Sequence, residues 1–163
     1  MYNVQIVRER GQMASIKEVL ASSELFKGLT DEELEKVAAL SREETYAAGL
    51  SVFAESTTAK ELYIVAEGKI SMEMRLPVYP GAEQAALAEI IPPGGSCGWS
   101  AVVGSRVYIM TARAVEPVRV IAIDGERLLA LFNKNHEIGF KVMECVVQVA
   151  SSRVRSIKRA LLA

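Results

Sequence analysis

Residues 62–74, which read LYIVAEGKISMEM, decide the fold of this chain. The run Leu62–Val65 is apolar and is followed by Gly68, a residue type that favours turns. Polar and apolar residues then alternate over residues 69–74, and such alternation places one set of side chains on each face of a strand. The stretch therefore predicts two short β-strands separated by a glycine turn.

The same pattern continues on both sides of this stretch. Short apolar runs occur at residues 50–53, 62–65, 70–74, 87–91, 107–110 and 118–123. Residues that favour turns lie between them, at positions 49, 68, 80–81, 92–95 and 116–117. Many short strands at regular spacing are typical of a sandwich or a barrel. The chain is therefore predicted to be mainly β.

Helices are predicted before and after the strands. Thr30 and Glu33 have the spacing of a capping box, in which each side chain bonds the other residue's backbone N–H. Asp124 is a favourable N-cap for a short helix that reaches Phe132. Asn135 can cap a long last helix over about residues 137–161. The strands are thus expected to have helices at both chain ends.

A single domain is expected over residues 1–163, since domains of roughly 100–150 residues are the commonest. Its parts are an N-terminal helical segment, a β-roll and C-terminal helices, at residues 1–44, 45–123 and 124–163. Apolar residues between Ile16 and Phe26 indicate a short helix and a turn. Val4 and Ile6 fit either a short strand or a frayed tail.

Composition excludes several classes of function. The net charge of −1 gives no general attraction to nucleic acid or anionic membranes. Two cysteines are too few for a disulfide framework or a zinc or iron–sulfur motif, so no metal site is expected. No signal peptide or membrane span is visible, and a cytoplasmic location is expected. The single histidine, His136, would have to serve every Ser-His-Asp or Cys-His scheme, so no enzyme is predicted.

Two segments carry a resemblance to a known family. They are the LYIVxxG part of residues 62–68 and the stretch IIPPGGSCGWSA at residues 90–101. Together they resemble the cyclic-nucleotide-binding domain family, which includes the sensor domains of catabolite-activator-type regulators. The resemblance implies a jelly-roll β-barrel, also called a double-stranded β-helix, with a long C-terminal helix. It also implies a cassette, here residues 98–108, that receives a cyclic phosphate on backbone N–H groups and an arginine.

The cassette departs from the family pattern at two positions. Trp99 follows Gly98 where the family has a glutamate that accepts a hydrogen bond from the ribose 2′-hydroxyl. Counting to Ala112-Arg113-Ala114 places Tyr108 at the position of the family's arginine, and Ser56 replaces a glycine of an earlier turn. Arg106 lies two residues before Tyr108, on the same face of an extended segment, and is a candidate substitute. Binding of cyclic AMP or cyclic GMP is therefore expected to be weak or absent.

The candidate ligand-binding residues are Gly98, Trp99, Ser100, Arg106 and Tyr108. A nucleotide-like or other small anionic ligand is considered, because Gly94, Gly95 and Gly98 keep a backbone suited to an anion. No other cofactor is expected. Each residue also has a structural interpretation: Trp99 fills the pocket or stacks on a ligand, Arg106 is an exposed loop residue or a phosphate ligand, and Tyr108 is a half-buried strand residue. Cys97 is expected to be a buried thiol, with redox sensitivity as the alternative.

The last helix has an apolar seam whose members recur at spacings of three and four. The seam comprises Met143, Val147, Ala150, Val154, Ile157 and Leu161. It can pack on the chain's own barrel or form a two-stranded interface in a homodimer. The basic residues from Arg153 to Arg159 are interpreted as a solvated helix face. Because no helix-turn-helix follows before Ala163, contact with nucleic acid is not expected without an additional domain.

Two functions remain open on this evidence. The first is a small-molecule-sensing regulatory module for signal transduction, in which the barrel pocket communicates with the last helix. The second is a ligand-independent structural or protein-interaction module that keeps the barrel and the dimerisation helix. An intact glutamate and arginine would favour the first, and their absence gives weight to the second.

Overall fold

The computed structural model describes residues 11–163, apart from a few side chains within residues 78–87 and near the two chain ends. These residues form four α-helices, eight β-strands and one short 3-10 helix. The helices are α1 Gly11–Ser22, α2 Asp31–Ala38, α3 Gly125–Lys134 and α4 His136–Leu162, and the 3-10 helix is Trp99–Ala101. The strands are β1 Ser41–Tyr46, β2 Ser51–Phe53, β3 Glu61–Glu67, β4 Ile70–Tyr79, β5 Ala82–Ile91, β6 Ser96–Cys97, β7 Thr111–Ala114 and β8 Val118–Asp124.

The strands form two antiparallel sheets of four strands each. One sheet has the order β1-β8-β3-β6 and the other has the order β2-β7-β4-β5. In the first sheet Tyr63 of β3 lies opposite Ala122 of β8 and, on its other side, opposite Cys97 of β6. The two sheets do not join into one closed barrel. The predicted jelly-roll class, mainly β with flanking helices, is confirmed.

The central strands β3 and β8 are buried on both faces. Tyr63 and Val65 belong to a buried cluster between the two sheets, together with residues of β2, β4 and β7. Leu62 and Ile64 belong to a second cluster, which packs against the four α-helices. A strand buried on both faces reads as a continuous apolar run rather than an alternation, which explains the sequence LYIV.

The predicted helix caps are confirmed. The Thr30 hydroxyl accepts a hydrogen bond from the Glu33 N–H, and the Glu33 carboxylate accepts one from the Thr30 N–H. The Asp124 carboxylate accepts from the Arg127 N–H, and the Asn135 side chain accepts from the Ile138 N–H. The chain therefore enters α2, α3 and α4 where the sequence placed their starts.

Three sequence expectations need correction or lie outside the described residues. The apolar run 107–110 is not a strand, apart from one isolated bridge between Val107 and Thr58; the strand follows it, at Thr111–Ala114. The backbone turns directly before this apolar run, since Arg106 has a φ of 62°. The β-structure begins at Ser41, earlier than residue 45. Val4 and Ile6 lie outside the described residues.

Gly68, in the turn between β3 and β4, gives a test of this arrangement. Its φ is 78°, and a Cβ atom built there would lie 2.5 Å from the Pro117 carbonyl oxygen. Gly68→Ala should lower the free energy of unfolding by about 2–4 kcal/mol, because left-handed strain adds to a backbone overlap. Gly49→Ala is the matched control, since Gly49 has a φ of 84° and open space around it.

The control should lose only the strain contribution of about 1–2 kcal/mol. Urea denaturation of both variants measures the two losses. Equal losses would show that the close approach of the β7–β8 turn to Gly68 is wrong.

Candidate functional site

The cassette begins at a position that only glycine fits. Gly98 has a φ of 80°. A Cβ atom there would lie 2.8 Å from the Glu61 carbonyl oxygen and 3.2 Å from the Tyr63 ring. The chain can therefore leave β6 and enter the 3-10 helix Trp99–Ala101 only with glycine at this point.

A cavity of about 300 Å³ lies beside the cassette. Its walls on the barrel side include Phe53 and Met72, and Trp99 forms part of the cassette side. Helix α4 forms the remaining side through Ala150, Arg153, Val154 and Ile157. The cavity is therefore bounded jointly by the barrel, the cassette and the last helix.

Four of the five candidate ligand-binding residues line this cavity. They are Gly98, Trp99, Ser100 and Tyr108. Arg106 is not among the lining residues. The structure thus brings Trp99 and Tyr108 to one site and leaves out the arginine that the sequence offered as a phosphate ligand.

Tyr108 is fixed in the cavity wall by its hydroxyl and by its ring. The hydroxyl donates a hydrogen bond of 2.7 Å to the Glu61 carbonyl and accepts one of 3.2 Å from the Glu61 N–H. The ring stacks on Phe53 with centroids 3.9 Å apart. Burial raises the pKa of Tyr108, so the phenol stays protonated. Tyr108 therefore presents an aromatic surface whose hydroxyl is already engaged.

Arg106 is held by its backbone. Its carbonyl accepts a hydrogen bond from the Ala59 N–H, and its φ of 62° is in the left-handed region. The Nε atom is buried and has no hydrogen-bond partner among the described residues. The extended geometry that would aim Arg106 with Tyr108 is therefore absent, because a left-handed residue reverses the local chain direction.

Two further glycines of the segment use their N–H groups within the fold. The Gly94 N–H donates to the Val65 carbonyl, and the Gly95 N–H donates to the Pro92 carbonyl. The Gly94 bond holds the segment after β5 against β3, and the Gly95 bond closes the local turn. The glycine-rich sequence suggested that these N–H groups receive an anion, but they are not free to do so.

Arg153 of α4 is the exception to the interpretation of the basic residues 153–159 as a solvated face, since Arg155, Lys158 and Arg159 are exposed as expected. Its side chain is only 18% exposed. It donates hydrogen bonds to the Glu24 carboxylate at 3.0 Å and to the Ser96 carbonyl at 2.7 Å, and it forms an ion pair with Glu89 at 3.2 Å. Its guanidinium carbon lies 4.4 Å from the centroid of the Trp99 ring, a cation–π distance. Arg153 therefore joins α4 to the cassette and to β5.

Glu24, in the segment after α1, completes this cluster. One oxygen of its carboxylate accepts from the Ser96 N–H at 2.8 Å, from the Ser96 hydroxyl at 2.6 Å and from Arg153. The Ser96 hydroxyl in turn accepts a hydrogen bond from the Trp99 indole N–H at 2.9 Å. We call Glu24, Glu89, Ser96, Trp99 and Arg153 the Arg153 cluster. Burial raises the pKa of Glu89, and the nearby Arg153 opposes this shift.

Sequence reasoning missed Glu24, Glu89 and Arg153 as members of the site. One signal for Arg153 was available. It lies three residues after Ala150 and four before Ile157, so it shares their helix face. No local pattern indicated Glu24, because it reaches Ser96 across 72 residues of chain.

Helix α4 has two different apolar faces. Ile138, Val142 and Val146 are buried against the other helices and the first sheet. The predicted seam residues Val147, Val154 and Ile157 are 63%, 65% and 43% exposed. Met143 and Ala150 are half-buried, and Leu161 lies outside the described side chains. Most of the seam is therefore not covered by the chain's own core.

The remaining candidate residues have structural positions. His136 is exposed at the first residue of α4. Cys97 is buried, as expected. Within residues 11–163 no group of three or more metal-binding side chains occurs. In the same part of the chain no helix is long and apolar enough to cross a membrane.

Comparisons with known proteins agree with this fold. The family model of the cyclic nucleotide-binding domain matches residues 43–135. A protein from Geobacter metallireducens described as cyclic nucleotide-binding is 28% identical, with a TM-score of 0.73, and the match covers 85% of this chain and 97% of that one. The N-terminal domain of a transcriptional regulator from Streptomyces coelicolor is 25% identical, with a TM-score of 0.66 and coverages of 89% and 96%.

A third solved structure is similar in fold alone. It is a cyclic nucleotide-binding domain from Methylobacillus flagellatus, 15% identical, with a TM-score of 0.78 over 93% of this chain and 83% of that one. No curated protein sequence matches the chain.

Thiol chemistry tests the burial of the cassette. Burial raises the pKa of Cys97 to about 12, so about one thiol in ten thousand is ionised at pH 8. In the Cys145→Ser variant, which keeps only Cys97, Ellman's reagent should find almost no reactive thiol until urea unfolds the chain. The Cys97→Ser variant is the control, because its half-buried Cys145 should react in the folded state. Rapid reaction of Cys97 would contradict a closed cassette.

Proposed function

Because the chain belongs to the cyclic nucleotide-binding domain family, we propose that it is a small-molecule-sensing regulatory module and not an enzyme. The fold is that of the family's regulatory domains. In this proposal a ligand enters the cavity beside the cassette and changes the position of α4. The two free cysteines suit the reducing cytoplasm, where we place the protein.

The observation that carries the proposal is the position of Arg153. It projects from α4 into the cavity wall and contacts Trp99 of the cassette and Ser96 of the adjoining β6. A molecule that binds against Trp99 must meet this side chain. Occupancy of the cavity and the position of α4 would therefore be linked through direct contacts, as allosteric coupling requires.

We further propose that cyclic AMP and cyclic GMP bind this cavity weakly or not at all. Trp99 stands where the family's glutamate would accept from the ribose. Tyr108 stands at the family's arginine position, and its hydroxyl is used by Glu61. A hydrogen bond to a charged group is worth roughly 1.5–3 kcal/mol, so the two losses together could reach about 3–5 kcal/mol. Such a loss corresponds to several hundred-fold or more in affinity.

The Arg153 cluster also supports the alternative function, a ligand-independent structural or protein-interaction module. Its contacts hold α4 on the cassette with no ligand required. A ligand-independent interaction module would need such a permanent arrangement. The two functions differ in one measurable respect, since only a sensor is stabilised by a small molecule.

A homodimer through α4 is part of the proposal. The exposed seam residues Val147 and Val154 are seven apart, and the half-buried Met143 and Ala150 are also seven apart. This is the repeat of a two-stranded coiled coil. A second copy would cover an apolar stripe that this chain leaves exposed.

Ligand-induced stabilisation tests the sensing function. A ligand at a hundred times its dissociation constant adds about 2.7 kcal/mol to the stability of the folded state. For a chain of this size that amounts to a rise of roughly 5–10 °C in Tm. In a thermal-shift screen of small molecules at least one compound class should reach this rise, while cyclic AMP and cyclic GMP at 1 mM should not.

Calorimetric titration with both cyclic nucleotides gives the direct check. Low-micromolar binding that is lost in Arg106→Ala would show that Arg106 acts as the phosphate ligand, against the proposal. A screen in which no compound stabilises the chain would favour the ligand-independent module.

The dimer is tested by a charge placed on the seam. Val147→Glu should convert a dimer to a monomer in sedimentation equilibrium at micromolar concentration, because two carboxylates would face each other in an apolar interface. Gln148→Glu adds the same charge one residue away, on an exposed position outside the seam, and should leave the dimer intact. A wild-type chain that stays monomeric at high micromolar concentration would refute the interface.

A further inference from the structure

The charged side chains that line the cavity already neutralise one another. They are Glu89 and Arg153, which form an ion pair at 3.2 Å. Arg153 is also bonded to Glu24, so the cluster holds one cationic and two anionic side chains. An anionic ligand would find no uncompensated cation here and would lie beside a net negative charge.

The other side chains that line the cavity are apolar or have engaged polar atoms, apart from the Ser100 hydroxyl. Phe53, Met72 and Ile109 present carbon to the interior. The Trp99 indole N–H is used by Ser96, and the Tyr108 hydroxyl is used by Glu61. A charged group placed among them would lose hydration, and among the described side chains on these walls it would find only the Ser100 hydroxyl as a partner.

The Arg153 guanidinium lies over the ring of Trp99. It lies 4.4 Å from the centroid of the Trp99 ring, as a planar group stacked on the indole would. A flat aromatic molecule that entered the cavity would compete with the guanidinium for this ring. Displaced from Trp99, Arg153 would still be near Glu24, which lies outside the cavity in the segment after α1.

We propose that the cavity takes an uncharged, planar apolar molecule, whose ring replaces the guanidinium of Arg153 on Trp99. The inference rests on the proposed sensing function and names its ligand class. It differs from the anionic ligand that the glycine-rich sequence suggested. Because the replaced group belongs to α4, entry of the molecule changes the contacts that hold this helix on the cassette.

The test compares two probes of the same shape. 2-Naphthamide is neutral and 2-naphthoate is an anion, and both are titrated calorimetrically into the full chain at pH 7. The amide should bind at least tenfold more tightly. Glu89→Gln removes one of the two negative charges, so that the Arg153 cluster carries no net charge. The difference in affinity between the two probes should then narrow to less than about threefold.

Replacement of Arg153 tests the competition on Trp99. Arg153→Gln should bind 2-naphthamide several-fold more tightly than the wild-type chain and 2-naphthoate no better. Arg155→Gln is the matched control: it removes the same charge from an exposed position on α4 and should change neither affinity. Circular dichroism confirms that each variant folds. Arg153→Lys, which keeps the charge without the planar group, replaces Arg153→Gln if that variant does not fold.

Two results would overturn the inference, and they differ in what they say of the sensing function. Tighter binding of 2-naphthoate, lost in Arg153→Gln, would make Arg153 an anion ligand and leave the sensing function standing. Failure of both probes in the wild-type and Arg153→Gln chains would reject the ligand class. Sensing itself would then fall only if the broader thermal-shift screen also found no stabilising compound.

Discussion

The antiparallel pairing of β3 with β8 is the constraint on which the rest of the structure depends. Both strands bury their two faces, one toward the second sheet and the other toward the helices. Full burial of one Leu, Ile or Val side chain contributes roughly 1.5–3 kcal/mol, and the alternate residues of the two strands supply such side chains to both clusters. A shift of one residue in register would place Tyr63 among the helices and Leu62 between the sheets. The register Tyr63–Ala122 is therefore strongly specified.

The position of the candidate site follows from this pairing. The strand β6 pairs with the free edge of β3, so Cys97 lies opposite Tyr63 and Gly98 meets the Glu61 backbone. The Glu61 backbone also bonds the Tyr108 hydroxyl, which brings the two ends of the cassette together at one strand. The cavity wall is thus anchored to β3, one of the two central buried strands, and rigid elements hold functional groups more precisely than loops do.

The sequence predicted most of the fold because local chemistry decides it. Thr30, Asp124 and Asn135 cap helices through hydrogen bonds within three residues, so their neighbours alone identify them. The strand predicted at the apolar run 107–110 was wrong, because one left-handed residue, Arg106, turns this strand-like sequence out of the sheet. The site was predicted only in part, because some of its contacts join residues that lie far apart in the sequence. Trp99 and Tyr108 follow from their places in the cassette, whereas the contact of Glu24 with Arg153 spans 129 residues and no local pattern encodes it.

The Arg153 cluster is better suited to switching than to stability. A half-buried guanidinium loses hydration on leaving water, and its ion pairs with Glu24 and Glu89 repay that cost only while all partners are in place. An apolar side chain at position 153 would pack against Trp99 without this dependence. Polar clusters of this kind have a small net energy but a strict geometry, so a ligand that removes one contact disturbs the others. In this chain the contacts join the segment after α1, the end of β5, the cassette and α4. A ligand that displaces Arg153 from Trp99 therefore acts on α4 through direct contacts, and the exposed seam of α4 is the proposed interface with a second copy. The free-energy difference between the two arrangements of α4 needs to change by only a few kcal/mol.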